Sequence, residues 1–409
     1  MTSQQRQVLL WLSRRGPLTR SQLGRLTGGS ATAVWQAVQA LAAQGWIRPD
    51  GTQASGGGRP AARWVLAPTG QRIGVVRVRP GWAGLRWFDL DGTEVETAAG
   101  DGEKLQVSWP ADESADAVLP ALRQLLTEAL SRHGRRPTGW AVCVPGVIDP
   151  AGMVLYSSPL GLRDAALGEY LRTWTGLPAV VGNDVDMAAL GESSWGAGQG
   201  CRRLLYLWID QGIGLGFVQD GQLYMGSRGS AGELGHFTVS PEGPPCRCGN
   251  RGCLGMIASE PALVGQASRL VWVDQQSVLR QLAGGDLNRV DLATLGRALA
   301  AGDPLVTQVV EEAWARLGIV TANVVNLLDP DVVLVEGSVY RLDPDRMLAT
   351  LRRAVQTHGL PTYRETIRID GGRLGEEACW RGAVAWFRER WWGAAGQGGR
   401  SAVLERLAH

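Results

Sequence analysis

The sequence predicts an α/β protein in two parts: a small winged-helix head and a larger body of alternating strands and helices. Three observations predict it. Charge is divided along the chain, because residues 1–66 carry eight arginines against one acid, Asp50, a net of +7. The whole-chain net of +2 leaves −5 for residues 67–409. The head shows helical apolar spacing interrupted by glycines, whereas from Arg72 short apolar runs alternate with longer helical ones. At 409 residues the chain has room for more than one domain.

In the head, Val8, Leu9 and Leu12 share one face of a helix that begins near Gln4 and is ended by Gly16-Pro17. Thr19 caps a short second helix carrying Leu23 and Leu26, and Gly28-Gly29 breaks it. Ser30 caps a third helix with Val34, Val38 and Leu41 turned inward. Two helices joined by a glycine turn make a helix-turn-helix. Trp46–Arg48 and Arg63–Leu66 read as the two strands of a wing, with a polar, glycine-rich loop between them. In such a head the N-terminal end of the third helix enters the major groove, so Ser30, Thr32, Trp35, Gln36 and Gln39 reach base edges or phosphates. Gln36 is the candidate base reader, through an amide-to-adenine pair.

The third helix holds no Arg or Lys, so the charge for a polyanion comes from Arg20, Arg25, Arg48, Arg59 and Arg63. Gly56-Gly-Gly-Arg-Pro60 reads either as a flexible linker or as a basic tip that enters a minor groove. Lys104 is the only lysine, so part of the arginine richness is compositional, but the separation of sign is not.

The body opens with strands at Ile73–Val78 and Leu85–Leu90, followed by a helix from Ala115 to His133. A strand at Trp140–Val144 ends in Pro145-Gly146-Val147, and a helix at Leu167–Thr175 leads to the strand Ala179–Val181 and then Gly182-Asn183-Asp184. Ligands of open α/β sheets bind at the carboxyl ends of strands, which makes Asp184 a candidate for chemistry. Leu204–Ile209 is a further strand, and Gly212-Ile-Gly-Leu-Gly216 reads either as a hairpin turn or as a nucleotide loop. A long helix at Pro304–Leu328, a strand at Asp331–Gly337 and a final helix at Glu376–Trp392 complete the pattern. The tryptophans of that last helix are expected in packing rather than in a ligand stack.

His236, Cys246, Cys248 and Cys253 have the spacing of a tetrahedral Cys3His zinc site. Four protein ligands fill the shell and leave no open position for water, so the predicted metal is structural. It would stiffen the turn from Glu233 to His236 and orient the Glu233 carboxylate. Cys143, Cys201 and Cys379 stand alone in apolar stretches and are expected as buried thiols, which fits a reducing compartment rather than a disulfide framework. No apolar run approaches membrane-spanning length and the N-terminus lacks a secretory pattern, so the expected location is the cytoplasm, without membrane contact.

Gly232-Glu233-Leu-Gly235-His236 and Cys246-Arg-Cys248-Gly-Asn-Arg-Gly-Cys253-Leu resemble the Glu-x-Gly-His and zinc motifs of the ROK family of repressors, open reading frames and sugar kinases. The winged helix with its Gly-Gly-Arg-Pro wing resembles the family's repressor branch. The resemblance implies an actin-like ATPase (ribonuclease H-like) fold of two lobes with a ligand cleft. It also implies sugar contacts from Asn183, Asp184, Glu233 and His236, with Asp184 matching the general base of the kinases.

Four departures qualify that resemblance. The kinases' Asp-x-Gly-Gly-Thr phosphate loop is replaced by Val76-Arg-Val-Arg-Pro-Gly-Trp82, and Glu336 stands where the adenosine motif has glycine. Both argue against ATP chemistry. Gly255 replaces the glutamate that follows the zinc motif, and Asp186 replaces an asparagine of Asn-Asp-x-Asn, which removes or alters sugar hydrogen bonds.

The expected domains are therefore a DNA-binding head at 1–66, a sugar- and zinc-binding body at 70–392 and a tail at 393–409. The expected function is non-enzymatic: a regulator, expected to act as a repressor, that binds a double-stranded DNA operator as a dimer or tetramer and responds to a carbohydrate. The alternatives are an ATP-dependent sugar kinase and a regulator with a degenerate sugar site that answers to a protein partner.

Overall fold

The computed structural model describes residues 1–55, 58–67, 71–95, 105–110, 114–132, 136–272, 276–363 and 366–393. The expected tail from 394, and Gly56 and Gly57 of the wing tip, lie outside them. The chain divides into two compact units, Met1–Met187 with the segment from Trp380 onward, and Ala188–Cys379.

The first unit begins with α1 (Ser3–Arg15), β1 (Leu18–Thr19), α2 (Arg20–Thr27) and α3 (Ala31–Ala43), then β2 (Ile47–Ser55) and β3 (Gly58–Leu66). Thr2 and Thr19 each close a capping box with the glutamine three residues on, and Ser30 Oγ accepts the Ala33 N–H, so local chemistry starts all three helices. Val8, Leu9, Leu23, Val34, Val38 and Leu41 form the interior of the head. The strands order β1-β3-β2, a winged helix. The wing strands extend well beyond the expected Trp46–Arg48 and Arg63–Leu66, because two register shifts let them stay paired as far as Ser55 and Gly58.

The same unit continues with β4 (Arg72–Arg79), β5 (Trp82–Asp89), β6 (Leu105–Ser108), α4 (Ser114–Arg132), β7 (Gly139–Val144), β8 (Val147–Ile148), β9 (Val154–Ser157), β10 (Leu162–Ala165), α5 (Leu167–Thr175) and β11 (Ala179–Asn183). Its main sheet has the order β11-β7-β4-β5-β6, with β4, β7 and β11 parallel. Val76, Val78, Val142, Val144 and Val181 face the helices α4 and α5 in one apolar core. The helix α6 (Asp184–Trp195) leads out of this unit, and α13 (Glu377–Gly393) leads back into it along the opposite sheet face. There Trp386 Nε1 donates to Val181 O at 3.1 Å and Arg388 Nη1 to Leu90 O at 2.9 Å. Gly139 and Gly182 clear that face, since a Cβ at either would overlap Phe387 or Met187.

The second unit contains β12 (Arg203–Ile209), β13 (Ile213–Gln219), β14 (Gln222–Leu223), α7 (Gly255–Ala258), α8 (Glu260–Val271), α9 (Val278–Leu282), α10 (Leu292–Ala300), α11 (Pro304–Leu328), β15 (Val332–Glu336), α12 (Pro344–His358) and β16 (Arg368–Gly371). The sheet order is β14-β13-β12-β15-β16. Helices α8, α10, α11 and α12 cover one face around the fully buried Trp314. The Gly212–Gly216 segment resolves as the hairpin alternative, since β12 and β13 pair antiparallel from Arg203↔Gln219 to Ile209↔Ile213.

Candidate functional site

Three groups of residues were singled out by sequence, and each is built by local elements. On the head, the outer face of α3 presents Ser30, Thr32, Trp35, Gln36 and Gln39 to solvent, with Trp35 at 49% exposure. Arg20 and Arg25 are exposed on α2 beside it. Arg48 and Arg63 instead gather on Asp50, at 4.0 and 3.4 Å, so the head's one acid offsets part of the charge expected from the wing. The side chain of Arg59 lies outside the described residues.

The second group stands at the carboxyl edge of the first sheet. Asn183 closes β11 and Asp184 opens α6. Asn183 Nδ2 donates to Gly146 O at 2.8 Å, while its Oδ1 accepts the N–H groups of Val185 (2.8 Å) and Asp186 (3.1 Å). Asn183 thus caps α6 and pins the Pro145-Gly146 turn, leaving one amide hydrogen for a ligand.

Strand register sets Arg77, Cys143 and Gly182 in one row on one face. Arg79 follows two residues further on the same face, and Asp184, the first residue of α6, lies close enough to feel both guanidiniums. Arg77 is buried over the Trp380 ring, 5.4 Å from its centroid. Burial raises the Asp184 carboxyl above its ordinary range, opposed by the Arg77 and Arg79 guanidiniums. The turn where the kinases carry their phosphate loop is here a tight Pro80-Gly81 hairpin between β4 and β5.

Glu233 and His236, in the second unit, sit on a turn pressed against β13. A Cβ on Gly232 would lie 1.8 Å from Leu215 O, and one on Gly235 would lie 2.5 Å from Ile213 O, so only glycine fits at either position. The metal group grows from the same turn. One donor atom from each of His236, Cys246, Cys248 and Cys253 lies within 4.8 Å of the others. Cys246 Sγ is 3.6 Å from His236 Nδ1, and Cys248 Sγ is 3.7 Å from Cys253 Sγ. A tetrahedron with zinc bonds of ~2.3 Å to sulfur and ~2.0 Å to nitrogen has edges of about 3.5–3.8 Å, which these pairs match.

Burial lowers the His236 imidazole and so favours the neutral, metal-binding form. His236 Nε2 lies 3.9 Å from Glu233 Oε2. Burial and then the neighbouring thiols push Cys253 up to about 12, whereas the Asn250 N–H lowers Cys248.

Gly255 opens α7, and a Cβ there would lie 3.2 Å from Gly235 O, beside the Glu233–His236 turn. Of the lone cysteines, Cys143 and Cys379 are buried, but Cys201 is only partly so, because it lies in a loop within 3.8 Å of Arg368 Nη2. The buried Glu336 accepts from Arg341 Nη1 at 2.5 Å and from Gly337 N–H at 3.1 Å. Sequence reasoning missed Arg14 and Trp46, which meet Glu389 and Trp391 of α13.

The ROK family model matches residues 88–390, and the MarR family model matches residues 1–54. The N-acetylglucosamine repressor of Shigella flexneri is 27% identical over 375 residues, covering 89% of this chain and 87% of that protein. A glucokinase of Halalkalibacterium halodurans is 30% identical, covering 72% of this chain and 92% of its own. The solved structure of a ROK family transcriptional regulator, a homologue of the Escherichia coli MLC protein, superposes with a TM-score of 0.78 at 25% identity. It covers 96% of this chain and 97% of its own, head included. With the actin-like sheets, the Glu-x-Gly-His turn and the Cys3His cluster all in place, the chain belongs to the ROK family.

Proposed function

We propose that this DNA-binding transcriptional regulator is a repressor whose hold on its operator is changed by a carbohydrate, with a structural zinc at His236, Cys246, Cys248 and Cys253. The observation that carries this reading is the winged helix: an exposed polar face on α3, flanked by Arg20 and Arg25, on a head of net +7. Residues 1–66 then form the DNA-binding domain and 70–392 the effector domain. Ser30, Thr32, Trp35, Gln36 and Arg59 join the two flanking arginines in contacting operator DNA. Asn183, Asp184, Glu233 and His236 contact the sugar. Their amide, carboxylates and imidazole suit a polyol, and the name of the Shigella repressor supports a sugar as the effector class.

Kinase activity is disfavoured by chemistry. In sequence Arg77 and Arg79 stand where the kinases carry their phosphate loop, and Glu336, paired with Arg341, stands where their adenosine motif has glycine. The protein acts in the cytoplasm as a homo-oligomer, matching a palindromic operator; no described helix is long and apolar enough to cross a membrane.

Operator binding is expected to fall steeply between about 50 and 200 mM salt, and a flat log–log plot sinks the electrostatic part of the reading. A thermal-shift screen against sugars and sugar phosphates is expected to find a ligand that raises Tm. Asp184→Ala and Glu233→Ala should each abolish that shift while leaving operator binding intact; a shift that survives both removes these residues from the site.

Gly255 favours a second reading, a regulator with a degenerate sugar site. Under that reading no sugar in the screen raises Tm, and Gly255→Glu gains nothing.

A further inference from the structure

The last two turns of α13 hold the head at two points. Arg14, in the final turn of α1, donates from Nε and Nη2 to both carboxylate oxygens of Glu389 at 2.6 Å each, and the two side chains are only 12% and 15% exposed. This is a bidentate, largely desolvated pair rather than a solvated surface contact. Trp46 packs on Trp391 with centroids 5.7 Å apart and edge-on to the buried Trp392 at 6.5 Å. Trp46 belongs to the reading helix in effect, because its N–H donates to Leu41 O in the last turn of α3 at 2.9 Å. One attachment grips α1 and the other grips the end of α3, and two separated points fix both tilt and rotation.

The other end of the same helix is seated in the sheet. Trp380 lies under Arg77 and Arg86, with centroid distances of 5.4 and 4.5 Å, and Arg77 is close enough to act on Asp184. At about 1.5 Å per residue, one rigid rod links the effector-side sheet edge to the head.

We propose that Glu389, Trp391 and Trp392 are positioning residues for operator binding: through Arg14 and Trp46 they fix the orientation of the head and so set the half-site spacing the protein accepts. This rests on the dimeric operator reading. A head released from the clamp would still recognise a half-site but would sample many orientations, so binding to two half-sites would weaken and spacing would cease to matter.

The test uses the full-length protein and duplexes bearing two copies of a half-site selected from a random pool, with their separation varied one base pair at a time across a helical turn. The parent is expected to show one sharp optimum. Glu389→Ala and Trp391→Ala should lose tenfold or more at that optimum and flatten the profile, with unchanged binding to a single half-site. The charge-swapped pair Arg14→Glu with Glu389→Arg should restore the peak.

Single variants that keep the parental profile overturn the clamp. Loss of single half-site binding overturns positioning in favour of a role in folding the head, and failure of the swap to rescue overturns the ion pair as its agent. A parent without any spacing preference overturns the dimeric reading, and the clamp with it.

Discussion

Asp184 shows how a single side chain can trade stability for a task. Its folded carboxyl titrates above its ordinary value of 3.8 because burial disfavours the charged form. The folded state therefore keeps the proton longer than the unfolded chain, and stability falls as pH rises from the ordinary carboxylate range through the raised value. Asp184→Asn should melt higher than the parent at pH 7, with the difference vanishing in acid. A variant that melts lower at pH 7 would show that the contacts with Arg77 and Arg79 outweigh burial.

Cys253 makes the complementary case. It is fully buried, and under the proposed structural zinc Cys253→Ser should reduce bound zinc from about one per chain to near zero and lower Tm, because the binding free energy of such a metal adds to folding. Zinc measured by atomic emission at the parental level in that variant would move the metal elsewhere. Both positions were legible in the sequence, since a third cysteine separated by four residues from a Cys-x-Cys pair and an Asp at a strand end are local signals. Arg14 and Trp46 were not. Their partners lie hundreds of positions away, and no spacing rule links an arginine in a first helix to a glutamate in a last one.

At the scale of elements, local chemistry accounts for most of the boundaries. Thr2, Thr19 and Ser30 begin the three head helices as side-chain caps, and Gly28, in a left-handed conformation, ends α2. Ser30→Ala should cost about 1 kcal/mol of stability, measurable by urea denaturation, and should weaken operator binding, because Ser30 is also the first residue of the reading face. Gln36→Ala should relax preference at one base position by ~1–3 kcal/mol, whereas Arg25→Ala should weaken all sequences alike and reduce the salt slope by about 1. Equal behaviour of the two variants across a panel of mutated operators would remove Gln36 as the reader.

The elements that sequence reading left short or open were decided by pairing. The wing strands run further because β2 tolerates two irregularities against β3, and Gly212–Gly216 closes a hairpin and runs on into β13 because β13 pairs with β12. Period-2 patterning cannot reveal either, since a bulge breaks the alternation and glycines carry no side chain to alternate.

For the whole molecule, charge and connectivity both follow the chain's order, but compactness does not. The head's +7 stands at one end of the sequence, which suits steering toward DNA. The first unit, by contrast, is assembled from two distant stretches, Met1–Met187 and the chain from Trp380. The long segment between them carries the zinc turn and the second sheet, so its departure and return divide the first unit's sequence without dividing its core. That discontinuity was invisible in hydrophobic periodicity, which sees each helix separately and not which sheet it will cover.

It also has a consequence during synthesis. In synthesis α1, α3 and Trp46 leave the ribosome well before Glu389, Trp391 and Trp392, which lie hundreds of residues downstream. Until α13 emerges, Arg14 and Trp46 lack the partners that hold them in the finished structure. Under the proposed clamp, a chain that stops before α13 would lack the contacts that orient its head, and two-half-site binding would begin only once α13 has been made.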